Sequence, residues 1–229
     1  MGLDRMNRRD LLGLLGSAAA WPLGAQAQQR VAGRARLPEI IAGPTNRVPQ
    51  CVRPERLIEF VNDRNRGLNP PRQIDPRFQN IAGLYGSIGE CVQRGQGGCI
   101  AIRWDYAFFQ MLLETNYLTF TGGVRPSDNN FAGIGATIPR KPGDVFASVD
   151  QGVHAHLQHV LMYAGVFIEQ PIAQRTRQTQ AWVHAQMSKL GRPVTFSDLA
   201  TLWTGTDKST YASDIEYMGT RFRQKYCAA

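Results

Sequence analysis

The sequence predicts a mainly α-helical domain of the α+β class, with at most a small β lobe. Apolar residues recur at helical spacing in several stretches, and these stretches are separated by capping residues, glycines and prolines. Few segments show the alternation typical of strands. Hydrophobic residues make up 43% of the 229 positions, which is enough for a core in one ordinary domain with short extensions.

Local start and stop signals place the helices along the chain. Pro54 suits a first helical position, the Asp75–Pro76 pair is a second start, and Ser148–Gln151 reads as a capping box. The expected helices run from Pro54 to a stop at Gly67, from Asp75 to a stop at Gly95, over about 105–117, from Ser148 to a stop at Gly165, and over about 173–190, 196–203 and 208–226.

The N-terminus reads as an export signal. Arg8–Arg9 precede an apolar run over residues 11–23, and Ala25–Ala27 offers small residues for cleavage, so residues 1–27 form the expected signal. The arginine pair resembles a twin-arginine signal, and an ordinary secretory signal is the alternative. The apolar run is too short for a helix that crosses a bilayer, which needs about 20 residues. Residues 28–50 then read as a linker and 51–229 as the domain, which we expect to be periplasmic or secreted.

A formal net charge of +8 suggests an anionic partner. Outside the cytoplasm, peptidoglycan offers free carboxylates on its peptides. Nucleic acid is the other interpretation of a basic chain. No basic run interleaved with aromatic residues and no zinc-finger spacing supports it, so we expect no nucleic-acid partner.

The four cysteines predict two disulfide bonds in an exported protein. Cys91 and Cys99 flank a glycine-rich turn, which favours pairing them, out of three possible connectivities. Cys51 then pairs with Cys227 and ties the ends of the domain together, a closure worth about 4 kcal/mol in the chain-entropy model. A zinc site is the alternative, but the sequence lacks a CxxC spacing.

Glu114 is the most unusual residue of the sequence. The helix expected over 105–117 is apolar around nearly its whole circumference, which marks it as buried, and Glu114 lies on the same face as Gln110. Burial raises the pKa of a carboxyl group, and a protonated acid near neutral pH can protonate the leaving oxygen of a glycosidic bond. The alternatives are an ion pair, for example with Arg125, or a side chain that points to solvent.

Two sequence runs resemble the bacterial glucosaminidase domain. Leu113–Glu114–Thr115–Asn116 matches a helix that ends in the family's catalytic Glu, and residues 125–137, RPSDNNFAGIGAT, match its NNF-type loop. Residues 152–164 look like the following helix, and Leu199–Trp203 with Tyr211 and Ile215 like the closing segment. The resemblance covers roughly residues 100–220. It implies a lysozyme-like fold and cleavage of peptidoglycan glycan chains at N-acetylglucosamine.

The resemblance also implies roles for individual residues. Glu114 is the general acid. The loop shapes the cleft, its amide side chains hold sugar hydroxyl or acetamido groups, and its glycines allow close backbone approach. Tyr211 lines the cleft in the family, although its helical spacing fits core packing equally well. The substrate-binding residues implied in this way are Asn129, Asn130, Phe131, Gly133 and Tyr211.

The chain departs from the family pattern at the second carboxylate. Some members carry a second Glu beyond the loop, but no glutamate lies between Glu114 and Glu169 here. Asp144 is the best replacement by position and is the second catalytic candidate, although Pro142–Gly143–Asp144 is also ordinary turn chemistry. The substrate's acetamido group as internal nucleophile, a water activated by Asp144, and lytic cleavage remain open.

No cofactor and no metal are expected. His154, His156 and His159 fall on one expected helix, but zinc-binding helices generally use an i, i+4 pair, and no third ligand presents itself. We interpret these histidines as surface or core residues.

Two functions follow as hypotheses. The first is an exported peptidoglycan hydrolase that cleaves at N-acetylglucosamine with Glu114 as general acid. The second is a peptidoglycan-binding protein with a degenerate cleft. In this hypothesis the missing second Glu leaves the protein either non-catalytic or dependent on an envelope partner for activity.

Overall fold

Seven α-helices and one short hairpin form the regular structure of the described residues, which are 36–121, 124–136, 143–203 and 209–227 of a computed structural model. The predicted signal, residues 1–27, and the first part of the predicted linker lie outside the described residues. The mainly helical class with a small β element is thereby confirmed. In chain order the elements are α1 (Pro54–Arg66), α2 (Ile81–Gly89), β1 (Gln93–Gly95), β2 (Gly98–Ile100), α3 (Trp104–Glu114), α4 (Val149–Tyr163), α5 (Gln174–Met187), α6 (Phe196–Trp203) and α7 (Ser209–Tyr226).

The local helix signals act as predicted at several ends. Pro54 opens α1 and Gly67 follows its last residue. At the start of α4, the Ser148 hydroxyl accepts a hydrogen bond from the Gln151 backbone N–H at 3.1 Å, and Gln151 Oε1 accepts one from the Ala147 N–H at 2.7 Å. This reciprocal capping satisfies two backbone donors that the helix itself leaves unpaired.

The helix expected from Asp75 to Gly95 is wrong in extent. Asp75 caps only a single 3-10 turn, Pro76–Phe78, and α2 begins at Ile81 and ends at Gly89. Gly95 lies instead in the antiparallel hairpin of β1 and β2, where it pairs with Gly98. Gly98 has a φ of +106°, a conformation that glycine adopts at little cost, and this allows the chain to reverse.

The part of the predicted linker that the structure describes, residues 36–50, packs against the domain. Leu37 and Ile40 are buried, the Ile40 N–H donates to the Val194 carbonyl at 2.9 Å, and the Arg103 N–H donates to the Ile40 carbonyl at 2.8 Å. Glycine and proline content predicted a linker here, but the two apolar side chains give this segment core contacts. The folded unit therefore begins before residue 51.

Helix α3 is the central element of the fold. Nine of its eleven residues are buried, and it packs against α2, α4 and α7. Its start is held by a buried ion pair in which Arg103 Nη2 lies 2.7 Å from Asp105 Oδ2, while Arg103 Nη1 donates to Asn46 Oδ1 at 3.0 Å. Removing one member of such a pair typically costs about 3–5 kcal/mol, because the other charge is left buried.

Both predicted disulfide bonds are confirmed. Cys51 is bonded to Cys227 and Cys91 to Cys99, which fits a protein of an oxidising compartment. Among the described residues, the helices are too short or too polar to cross a membrane.

We predict that the two disulfides differ in their contribution to stability. Cys51 and Cys227 are 176 residues apart, whereas Cys91 and Cys99 are 8 apart. Loop-closure entropy then gives about 5 kcal/mol for the long loop and about 2.5 kcal/mol for the short one. Denaturant unfolding of the Cys51→Ser/Cys227→Ser and Cys91→Ser/Cys99→Ser double variants should show the larger loss of unfolding free energy in the first. Equal losses would contradict the entropic origin.

Candidate functional site

Glu114 ends α3 and lies between the end of α6 and the start of α7. Its Oε1 accepts hydrogen bonds from Trp203 Nε1 at 3.0 Å and from the Tyr211 hydroxyl at 2.5 Å. The residue as a whole keeps partial exposure. Burial of the carboxyl group raises its pKa from 4.5 to about 7, against the two hydrogen bonds, which lower it.

Among the described residues, no cation forms an ion pair with this carboxyl group. Arg125, the ion-pair partner considered from the sequence, lies 3.2 Å from Asp128 Oδ2 instead. None of the ion pairs between described residues includes Glu114. A neighbouring arginine would have lowered the pKa of the carboxyl group, so its absence from the described surroundings is what lets desolvation dominate.

The backbone becomes left-handed two residues after the acid. Asn116, Tyr117 and Leu118 have φ values of +47°, +57° and +61°, a conformation that costs non-glycine residues roughly 1–2 kcal/mol each. The Tyr117 N–H donates to the Leu112 carbonyl at 2.8 Å, and Asn65 Nδ2 donates to the Tyr117 carbonyl at 2.9 Å. Helix α3 therefore ends at Glu114, three residues before the predicted end at 117. The acid is the last helical residue of a buried helix.

The amides of Asn129 and Asn130 hold the loop through hydrogen bonds to its backbone. Asn130 is 1% exposed, and its Nδ2 donates to the carbonyls of Ile134 and Asp144, both at 2.9 Å, while its Oδ1 accepts from the Ile134 N–H. Asn129, with a φ of +48°, donates from Nδ2 to the Phe146 carbonyl at 2.9 Å. The predicted contact of the Asn130 amide with sugar is thus wrong, because burial and three internal hydrogen bonds occupy it. Both residues shape the loop, as predicted.

Phe131 is a core residue and not a sugar platform. It is fully buried, and its ring centroid lies 5.5 Å from that of Phe78 and 6.5 Å from that of Phe120. The prediction that Phe131 contacts substrate is wrong for this physical reason. Its packing attaches the loop to Phe78, before α2, and to Phe120, after α3.

Gly133 brings the loop backbone to the free oxygen of the acid. It has a φ of +62°, and a side chain placed there would lie 3.8 Å from Glu114 Oε2. Within the described ranges no hydrogen bond to Oε2 exists, in contrast to the two on Oε1. The two carboxyl oxygens therefore differ: Oε1 faces protein donors, and Oε2 faces the glycine of the loop.

Asp144 is bound at the start of α5. Its Oδ2 accepts a hydrogen bond from the Arg175 backbone N–H at 3.1 Å, in the first turn of that helix, where a carboxylate interacts favourably with the helix dipole. Its Oδ1 borders Gly135, where a side chain would come within 2.9 Å of it. This geometry gives Asp144 a structural role, and its role as a second catalytic carboxylate stays a prediction.

Sequence reasoning missed the polar chain behind the acid. Gln110 Nε2 donates to the Tyr211 hydroxyl at 3.1 Å, His156 Nε2 lies 3.3 Å from Gln110 Oε1, and Tyr85 OH lies 2.7 Å from His156 Nδ1. The one sequence signal for this polar chain was the spacing of four residues between Gln110 and Glu114, which places both on the same helix face. Trp203 appeared only as part of the closing segment.

The histidines of α4 are buried polar residues. His156 and His159 are buried, and desolvation lowers the pKa of each to about 3, so both are neutral at physiological pH. His159 Nδ1 lies 2.8 Å from the Thr176 hydroxyl. In the part of the chain that the structure describes, His, Cys, Asp and Glu form no group of three that could hold a metal ion.

Fold and site together define a mainly α-helical protein in which a desolvated carboxyl group, without an ion-pair partner among the described residues, lies beside a glycine of the following loop. No family model matches the chain, and no solved structure matches it at significance. An uncharacterized protein of Borreliella burgdorferi is 34% identical over 111 residues, which are 48% of this chain and 48% of that protein. The chain thus spans about half the length of this curated relative.

We predict that Glu114 makes stability depend on pH. The native state holds a proton that the unfolded chain releases, so stability falls as pH rises from 4.5 to about 7. Glu114→Gln removes this loss. The free energy of unfolding of the variant minus that of wild type should therefore be larger near pH 8 than near pH 4, by up to about 3 kcal/mol. Urea unfolding at both pH values measures it, with the exposed Glu169→Gln as control. A pH-independent difference would show that burial does not raise this pKa.

Proposed function

We propose that the protein is an exported peptidoglycan hydrolase of the glucosaminidase type, which cleaves the glycan strand at N-acetylglucosamine. The observation that carries the proposal is the Glu114 carboxyl group, whose pKa of about 7 leaves a large protonated fraction near neutrality. The motif resemblance supplies the substrate class. The two disulfides and the net charge of +8 are consistent with work on an anionic envelope polymer.

Glu114 would act by protonating the glycosidic oxygen as the bond to the anomeric carbon breaks. The proton leaves from Oε2, to which no described residue donates a hydrogen bond. The negative charge left behind is stabilised on Oε1 by Trp203 and Tyr211. The carboxylate in turn stabilises the positive charge that develops on the sugar ring.

The second group of the reaction is supplied in this proposal by the substrate. Because Asp144 is held by the start of α5, a 2-acetamido oxygen is the nearest nucleophile to the anomeric carbon in an N-acetylglucosamine unit. Attack by that oxygen forms a ring with the anomeric carbon, which water then opens with Glu114 as base. One protein carboxyl group suffices for both steps.

We predict that Glu114→Gln reduces cleavage by about 100-fold to 10,000-fold, since an amide cannot donate the proton. In wild type, cleavage should decline as pH rises through about 7, because the acid form is lost. The assay is release of reducing ends and mass spectrometry of muropeptides from purified sacculi.

Glu169→Gln is the matched control and should retain full activity, because Glu169 is an exposed carboxyl group. Sacculus binding without cleavage by either wild type or Glu114→Gln would favour the binding-protein alternative. Cleavage that appears only with envelope extract would favour a partner-activated form.

A further prediction concerns Asp144→Asn. Asparagine keeps an oxygen that accepts from the Arg175 N–H but cannot serve as base or nucleophile, so activity should stay within about 3-fold of wild type if Asp144 is structural. A loss on the order of 1,000-fold, with the thermal midpoint unchanged, would instead make it the second catalytic carboxylate. Reaction in heavy-oxygen water identifies the route, because a lytic product gains no label.

A further inference from the structure

A buried row of polar side chains runs inward from the acid through the centre of the fold. It passes from Tyr211 on α7 to Gln110 on α3, then to His156 on α4 and Tyr85 on α2. Gln110, His156 and Tyr85 are each 0% exposed. Buried groups of this kind are costly unless each is satisfied, so the direction of every hydrogen bond in the row is constrained.

Tyr85 sets the direction at the inner end. Its buried hydroxyl must donate its proton, and the one acceptor within hydrogen-bonding distance among the described residues is His156 Nδ1, at 2.7 Å. A neutral imidazole has one donor and one acceptor nitrogen. Nδ1 is therefore the acceptor and Nε2 carries the hydrogen.

The remaining directions follow from this tautomer. His156 Nε2–H donates to Gln110 Oε1, which leaves the amide Nε2 of Gln110 to donate to the Tyr211 oxygen. Tyr211 then has its own proton left to donate, and Glu114 Oε1 accepts it. Trp203 Nε1–H, which can only donate, reinforces the same oxygen as an acceptor.

We infer that Tyr85, His156 and Gln110 are positioning residues, and that their hydrogen bonds all point in one direction, toward Glu114. This order keeps the Tyr211 hydroxyl donating to Glu114 Oε1. The acidic proton is therefore carried by Oε2, on the Gly133 side. The inference deepens the proposed function, on which its catalytic meaning rests. It specifies which oxygen is the acid, and hence that the glycosidic oxygen approaches from the Gly133 side.

The chain stays neutral at physiological pH, so its direction does not change there. His156 has a pKa of about 3, lowered first by burial and then by His159. Two titratable groups of α4 lie beside this row of hydrogen bonds, His159 with a pKa of about 3 and Tyr163 with a pKa of about 12. The positive charge of Arg175 on α5 lowers the pKa of both groups. Among the described residues, burial raises the pKa of Glu114 itself, and the hydrogen bonds from Tyr211 and Trp203 lower it.

The tautomer of His156 tests the inference directly, without any substrate. Nitrogen-15 NMR of histidine-labelled protein, assigned with His156→Gln, should show a neutral ring protonated at Nε2 from about pH 5 to pH 9. A ring protonated at Nδ1, or an imidazolium in that range, would overturn the inference even if the enzyme is active.

The Tyr85→Phe variant tests the control exerted from the inner end. Without the phenolic proton, the Nδ1–H tautomer and the reversed chain become accessible, so the His156 signals should move toward a mixture. The pKa of Glu114, followed by carbon-13 NMR, should rise by about 0.5 as Tyr211 donates less to the carboxylate. Tyr106→Phe, a buried tyrosine whose hydroxyl accepts from Arg223, is the matched control and should change neither signal.

The two proposals fail in different ways. If Tyr85→Phe leaves both the tautomer and the Glu114 titration as in wild type, the directed chain is wrong, whatever the activity. If both change as expected but sacculi are not cleaved by wild type, the chain stands as a property of the acid and the hydrolase proposal fails.

Discussion

The candidate site depends on one balance: the carboxyl group of Glu114 is desolvated, and no cation within the described residues compensates it. Its two hydrogen bonds, from Trp203 and Tyr211, favour the carboxylate, yet burial dominates and the pKa rises from 4.5 to about 7. An arginine in contact would have offset much of this rise, since such a pair lowers a carboxyl pKa by about 1–3. The group is thus poised to gain and lose a proton near neutrality.

Keeping this balance requires three distant parts of the chain to stay together. Glu114 ends α3, Trp203 ends α6 and Tyr211 lies near the start of α7. Helix α7 packs on α3, and its far end is tied by Cys227 to Cys51, beside the start of α1. Arg56 Nη1 also donates to the Tyr226 carbonyl at 2.7 Å. The terminal disulfide therefore stabilises the helix that holds one of the two donors to the acid.

The sequence could predict what short-range signals determine. The helix starts at Pro54 and Ser148, the Cys91–Cys99 bond and the burial of the helix before Glu114 all depend on near neighbours, and these predictions are confirmed. The long-range bond between Cys51 and Cys227 is also confirmed, because these two cysteines remain once the local pair is assigned. The left-handed turn at Asn116–Leu118 could not be predicted, because non-glycine residues disfavour positive φ unless tertiary contacts such as that from Asn65 hold them. The roles of Asn130 and Phe131 likewise depend on which side of the loop faces the core.

These misassigned loop residues explain how the site is built. The Asn130 amide is hydrogen-bonded within the loop, and the Phe131 ring packs in the core. These contacts hold the loop in place, so that it shapes the site through its backbone rather than through these two side chains. The loop places Gly133 close to Glu114 Oε2, where a Cβ atom would be in van der Waals contact with the acid at 3.8 Å. Oε1 accepts hydrogen bonds from Trp203 and Tyr211, whereas Oε2 faces the backbone of Gly133, which has no side chain. Within the part of the chain that the structure describes, the difference between the two oxygens of this carboxyl group thus arises from packing on both sides of it and not from a second charged residue.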